Sequence, residues 1–428
     1  YKMKKIFQKL VDVRPEEIRA LWLGFVFNFL VLGSYYVLRP IRDNIGAEGF
    51  ENLSWMFTAV LITMLIANGL FSTIVARMPR RRFIPMAYRF FIANLVIFFV
   101  LMRTLPPAQN VWLGRAFYVW VSVFNLFVVT VFWAFMTDLF NSDQGKRLFG
   151  FISVGGTLGA IVGAAMTGVL VKQIGTVNLL LISAVMLEIA AQCVRFFPAE
   201  VQHRQDPEPA GAERPIGGSV WAGISHVFRS PYLLGICAFM LLHAVTATFV
   251  YFQQADITLH QFHDRGARTA FFAWVDVAVN LLTIGIQIFL TGRLLKWFGV
   301  GITLALLPAI SLIGFLWMGF TPVLSLLVIF QTLRRAGNYA VSRPAREVLF
   351  TVLRREDKYK AKSFMDTFVY RAGDQIGAWS YKLLTLIGLG LTGISFVAAP
   401  LAGIWLALSL WLGRRQVALA RERESQAP

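Results

Sequence analysis

The chain has 428 residues, of which 57% are apolar, 14% aromatic and only 15% charged, and its mean hydropathy is +0.62. That balance excludes a water-exposed globule and leaves no room for the polar domain that a water-filled catalytic cleft requires, so a membrane protein without enzymatic activity or cofactor is expected. The 41 Lys and Arg against 23 Asp and Glu give a net charge of +18, but the basic residues lie between apolar runs, as the positive-inside bias dictates, which argues against nucleic acid.

Apolar windows long enough to cross a bilayer fall at about 18–38, 52–76, 83–104, 112–139, 147–171, 177–197, 231–254, 268–292, 300–320, 322–350, 364–387 and 392–413. They predict an all-α membrane protein of twelve transmembrane helices. The basic segment Tyr1–Leu10 precedes Glu16 and Glu17 and lacks the short apolar core and small-residue site of a cleaved signal peptide. Cys193 and Cys237 fall in separate apolar segments and read as packing residues, with no metal site.

One set of loops is basic: Lys2 to Lys9, Arg77 to Arg82, Lys146 and Arg147, Arg293 and Lys296, Arg354 to Lys362, and Arg414 and Arg415. The alternating set is short or mixed in charge, so both termini are expected in the cytoplasm. The long polar stretch 198–230, rich in Pro and Gly, has linker chemistry and divides the spans six and six, into bundles at 1–197 and 231–428. Internal similarity agrees: Gly155-Gly156-Thr157-Leu158-Gly159-Ala160 in the fifth span matches Gly373-Asp374-Gln375-Ile376-Gly377-Ala378 in the eleventh. Two six-helix bundles joined by a cytoplasmic linker is the major facilitator plan, with its site between the halves.

An ionisable group inside a span is costly and marks a site by default. The first span ends Tyr35-Tyr36-Val37-Leu38-Arg39-Pro40-Ile41-Arg42-Asp43. Arg39 and Arg42 either receive an anionic substrate as planar donor forks, or snorkel to headgroups, or form an Arg–Asp pair that pins the helix end, although Pro40 is expected to bend the chain between Arg39 and Asp43. In the fourth span Arg115, Tyr118, Ser122, Asn125 and Val129 form a stripe expected to line a cavity. Asp138 near the end of that span is expected to gate with Lys146 and Arg147, and Asp43 is a further gate candidate. The glycines 155, 159 and 163 read as close helix packing, since no phosphate-loop context accompanies them.

In the second half, His243 reads as a satisfied polar residue, with no second ligand at metal spacing. Asp276 and Asn280 form an i,i+4 pair in the eighth span, serving either proton coupling or helix pinning. The tenth span carries Gln331, Arg334, Arg335, Asn338, Tyr339, Arg343, Arg346 and Glu347; Arg334 is the deepest, and Arg343 with Glu347 reads as an i,i+4 pair. The eleventh carries Asp366, Tyr370 and Asp374 on one face, with Arg371 beside them.

Three stretches resemble the ATP/ADP translocase type of nucleotide transporter, a twelve-span branch near the major facilitators: Tyr36 to Asp43, Phe132 to Gly159, and Asn338 to Gly377. The resemblance implies a nucleotide-transport role for a basic residue ending the first span and an acidic one late in the fourth, where Arg42 and Asp138 stand. The family's third position, a basic residue in the eleventh span, is Asp374 here, and Thr137 and Arg343 also depart from the pattern. A carboxylate in place of a cation weakens attraction for a polyphosphate and adds a titratable group.

The residues therefore favour a bacterial inner-membrane porter of a small anionic or zwitterionic solute, proton-coupled, monomeric and working by alternating access. Arg39, Arg42, Arg115, Asn125, Arg334 and Arg371 are the expected substrate contacts, and Asp276, Asp366 and Asp374 the coupling carboxyls. Nucleotide exchange is the alternative, and a non-transporting or lipid-handling protein on the same fold is a third.

Overall fold

The computed structural model describes residues 13–75, 80–140, 142–197, 230–353 and 365–425. The expected linker, apart from Ser230, and the basic loop at 354–362 lie outside the described residues, as do the side chains of Lys146 and Asp366. The first six helices are α1 (Ile18–Glu48), α2 (Leu53–Val75), α3 (Arg80–Thr104), α4 (Pro107–Leu139), α5 (Ser142–Ile174) and α6 (Thr176–Cys193). Then follow α7 (Pro231–Gln261), α8 (Arg265–Phe289) and α9 (Thr291–Phe320), which breaks at Gly299 with φ 69°. The tenth, α10, is composite: Leu324–Gly337, a π-helical turn Asn338–Ser342, and Arg343–Leu349. Another π-helical turn, Met365–Val369, leads into α11 (Tyr370–Leu386), and α12 is Leu391–Glu424.

Among the described residues, α1 to α9 and α12 are the ten helices long and apolar enough to cross a membrane. The tenth and eleventh expected spans fall short of that measure because their unbroken α segments have only 14 and 17 residues and carry the charged groups Arg334, Arg335, Arg371 and Asp374. Each is also joined to a π turn, a geometry concentrated at functional positions.

By its contacts the chain divides into two compact units, one of residues 1–49, 58–210 and 262–277, the other of 50–57, 211–261 and 278–428. Two short pieces thus group differently from a division at the linker: 50–57 belong to the second unit and 262–277 to the first.

In the first unit α1 is the central element, and it does not stop where the sequence suggests. Its 31 residues run unbroken through Pro40 to Glu48, a length of about 46 Å. A proline removes one backbone donor and crowds one turn, which neighbouring helices in a membrane bundle tolerate. Helix α5 packs against α1 through glycines. A Cβ at Gly155, Gly159 or Gly163 would lie 2.4, 2.0 or 2.3 Å from the carbonyl oxygens of Phe25, Phe29 and Gly33. Backbones this close exclude any side chain, as in small-residue helix packing within membranes. Polar cross-links add direction: Asn28 donates to the Ile152 carbonyl (2.9 Å), Thr167 to that of Val37 (3.1 Å), and Ser34 pairs with Ser183 (2.8 Å). Around them Phe27, Tyr88, Phe132, Phe135 and Phe197 meet edge to face, the favoured aromatic geometry.

The second unit repeats the device. Helix α11 approaches α7 at Gly373 and Gly377, whose Cβ atoms would lie 2.5 Å from the Ala244 Cβ and 2.8 Å from the Thr248 Cβ. The internal repeat between the fifth and eleventh spans therefore has one physical meaning, a glycine pair four residues apart that seats each helix on the first helix of its half. Polar links brace this unit too: Gln253 donates to Ser395 (2.7 Å), Gln331 to Gln254 (2.9 Å), and Thr291 to the Ala340 carbonyl within the π turn (2.6 Å).

Candidate functional site

The first unit holds a buried ion-pair network on α1, α4 and α8. Arg39 stands one turn before Asp43 on α1, and because the helix continues through Pro40 the two meet, Nε to Oδ2, at 3.7 Å. The expectation that Pro40 separates them is corrected by this geometry. Arg39 also reaches Asp276 of α8, Nη1 to Oδ1 at 3.5 Å, and donates to the Tyr36 hydroxyl at 3.3 Å. Asp276 is 1% exposed. Arg42 completes the set: it contacts Asp43 at 3.0 Å, donates Nε to Ser122 at 3.0 Å, and lies over the Tyr118 ring at 4.1 Å. Within these contacts two guanidiniums face two carboxylates. Such pairing is the condition under which charges persist in a low-dielectric interior.

Of the fourth-span stripe, Tyr118 and Ser122 join this network, while Asn125 is half-buried and makes no hydrogen bond among the described residues. Arg115 is not brought to it. Its guanidinium lies 4.5 Å over the ring of Trp112, an exposed residue near the start of α4, an arrangement that suits the membrane interface.

Both ends of α1 are tied by carboxylates that sequence reasoning passed over. Glu17, 2% exposed, accepts from Gln144 (2.9 Å) and from both Nη atoms of Arg147 (3.0 and 3.2 Å), fastening the start of α1 to the start of α5. Arg147, expected to gate with Asp138, pairs with Glu17 at 3.0 Å, and Asp138 is exposed. At the other end Glu48 accepts from Arg265 Nε (2.8 Å) and from Arg268 Nη2 (2.6 Å), while Arg268 also donates to Asn44 (2.8 Å) and the Phe262 carbonyl (2.8 Å). A cavity of about 60 Å³ beside this clamp, bordered by Asn44, Asn110, Thr176 and Arg265, is large enough for a few waters only. Replacing Glu48 with glutamine removes the one charge both arginines share, and is expected to lower stability by about 1–3 kcal/mol, read as a lower melting temperature of the purified protein.

In the second unit α7, α10, α11 and α12 bring together His243, Arg334, Tyr370 and Trp405. Arg334, 3% exposed, donates Nη2 to the His243 carbonyl and to Thr246 Oγ1, both at 3.1 Å. Neither partner is charged, and among the described residues its buried Nε has no hydrogen-bond partner. His243, 5% exposed, sits with its ring 5.5 Å from Trp405 and 6.1 Å from Tyr370. Among the described residues neither of its ring nitrogens has a hydrogen-bond partner, unlike the satisfied polar residue the sequence suggests. Arg371 pairs with Asp374 one turn on at 3.5 Å, and Arg343 lies 4.7 Å over Tyr339. Asp366 falls on the π turn before α11.

A model of the Major Facilitator Superfamily matches residues 21–341, three quarters of the sequence. The chain belongs to that superfamily. It is accordingly a multi-pass membrane transporter with a small-molecule substrate and not an enzyme. Solved structures agree on the fold. The chain is similar to the POT family transporter PepTSo, with 13% identity and a TM-score of 0.62, over 96% of this chain and 99% of that one. It is similar to a POT family transporter in complex with 5-aminolevulinic acid, with 10% identity and a TM-score of 0.64, over 94% and 96%. A bacterial homolog to the human lysosomal transporter Spinster, inward-facing and unoccupied, gives 13% identity and a TM-score of 0.52, over 95% and 96%. A comparison with curated protein sequences gives no match. At these identities the major facilitator likeness is one of fold, and the site residues rest on their own geometry.

Proposed function

We propose that this major facilitator is a proton-coupled porter for a small anionic or zwitterionic solute. In this reading it is a monomer of a bacterial inner membrane, with cytoplasmic termini, and it alternates access between bundles 1–197 and 231–428 about the linker 198–230. The observation that carries the reading is the set of ion pairs joining Arg39, Arg42, Asp43 and Asp276. A proton taken up by Asp276 removes one of two negative charges, ends its ion pair with Arg39 across α1 and α8, and leaves one buried positive charge in excess. Carrying such a charge in hydrocarbon costs several kcal/mol unless an anion travels with it. Proton and anionic group thus move together because each alone is expensive. Asp374, already paired with Arg371, is the secondary coupling candidate.

Nucleotide exchange, which the likeness around Arg42 and Asp138 implies, makes a different demand. A nucleoside triphosphate brings several negative charges, and both cations of the network are already matched by carboxylates. A thermal-shift screen of the purified protein separates the two readings, since a ligand of the folded state raises the melting temperature. The panel holds ATP, ADP, dicarboxylates, a dipeptide and 5-aminolevulinic acid, which is a zwitterion. Stabilisation by a zwitterion or small carboxylate with silent nucleotides is expected; stabilisation by ATP or ADP alone overturns the porter reading in favour of exchange.

A further inference from the structure

Of the arginines expected to bind substrate, Arg39 and Arg42 are held by Asp43 and Asp276, Arg371 by Asp374, and Arg115 lies over Trp112. Arg334 differs from all four: it is buried, and its partners are the neutral His243 carbonyl and Thr246 hydroxyl. A guanidinium kept charged in the interior without a carboxylate is destabilising. Around it stand further buried polar atoms without a hydrogen-bond partner among the described residues: Arg334 Nε, both ring nitrogens of His243, and the Trp405 indole Nε1. Arg334 precedes the π turn Asn338–Ser342 by one helical turn, and Tyr370 directly follows the π turn Met365–Val369, so both polypeptide segments that meet here leave regular α geometry.

We infer that His243, Arg334 and Trp405 form the docking point for one carboxylate group of the transported solute. The planar guanidinium supplies the charge and a fork of donors whose geometry matches a carboxylate. Trp405 adds an indole N–H, and a neutral imidazole adds one donor more. Arg343 and Arg346 also place positive charge near His243, so the site attracts an anion, and the single buried guanidinium fork matches one carboxylate. This assignment rests on the reading of the chain as a porter of an anionic or zwitterionic solute, and it adds Arg334, whose hydrogen bonds go to neutral groups, as a carboxylate contact of that solute. The competing account is that Arg334 is a brace tying α10 to α7 through its two hydrogen bonds.

The test uses the purified full-length protein and sodium acetate as probe, with sodium chloride at matched ionic strength as reference. Acetate is expected to raise the melting temperature saturably, by about 2 °C or more. In Arg334→Gln that increment disappears, while without acetate the variant melts at or above the wild-type temperature, because an uncompensated buried charge is gone. His243→Phe keeps Arg334 and fills the ring space, and is expected to weaken the acetate effect at least threefold in half-saturating concentration. Arg89→Gln, at an exposed ion pair with Glu188, keeps it. The assignment is overturned if acetate acts no better than chloride, if inorganic phosphate acts more strongly than acetate, if R334Q retains the increment, or if R334Q melts well below wild type. Acetate binding needs no proton gradient, so failed proton coupling leaves this result standing, and a lost acetate effect leaves the coupling test intact.

Discussion

Asparagine at position 276 leaves the solute bound and exchanged but no longer concentrated. In vesicles with an imposed pH gradient, D276N is expected to reduce accumulation tenfold or more, to the level of passive equilibration, while solute-for-solute counterflow stays within about threefold of wild type. The reasoning is electrostatic. Asparagine has the shape of the protonated carboxyl, so the variant mimics the loaded network, with Arg39 keeping Asp43 at 3.7 Å and losing the ionic contact to α8. Exchange requires only that the loaded carrier reorient, whereas accumulation requires the proton to come and go. A variant that accumulates solute as well as wild type would remove Asp276 from the coupling step. The solute is the one that stabilises the protein in the binding screen.

The second large effect is structural and separates two glycines of one helix. At Gly159 a methyl group would lie 2.0 Å from the Phe29 carbonyl oxygen. That atom is backbone, so no rotamer change relieves the clash and α1 must move away from α5. Gly159→Ala is expected to cost about 3 kcal/mol, seen as a much lower melting temperature and poor recovery of monodisperse protein. At Gly150, on the same helix, nothing lies within 4 Å of an added Cβ. There Gly150→Ala is expected to be neutral or to stabilise by about 0.5–1 kcal/mol, because alanine holds a helix better. Equal behaviour of the two variants would contradict the packing account.

The spans were legible because a bilayer imposes length and apolarity on every crossing, and the glycine pairs were legible because spacing four places both on one helix face. The charges were readable as residues but not as partners. Arg39 and Asp43 are neighbours in sequence, yet a general rule about proline argued them apart, and tertiary support of α1 overrode it. Glu17 with Arg147, and Glu48 with Arg265 and Arg268, are joined across more than a hundred residues, and no periodicity announces such a pair. His243 shows the opposite limit: a lone histidine in an apolar span is most simply a satisfied one, and only the packing of α10 and α12 around it reveals that its nitrogens have no hydrogen-bond partner among the described residues.

The most direct measurement is proton movement with the solute. The protein is reconstituted into liposomes enclosing a pH-sensitive dye, with equal pH on both sides, and the solute chosen by the binding screen is added outside. Acidification of the lumen that follows solute entry, is absent without protein and is lost in D276N is the result this account predicts. Solute entry at undiminished rate with no change in internal pH would contradict it.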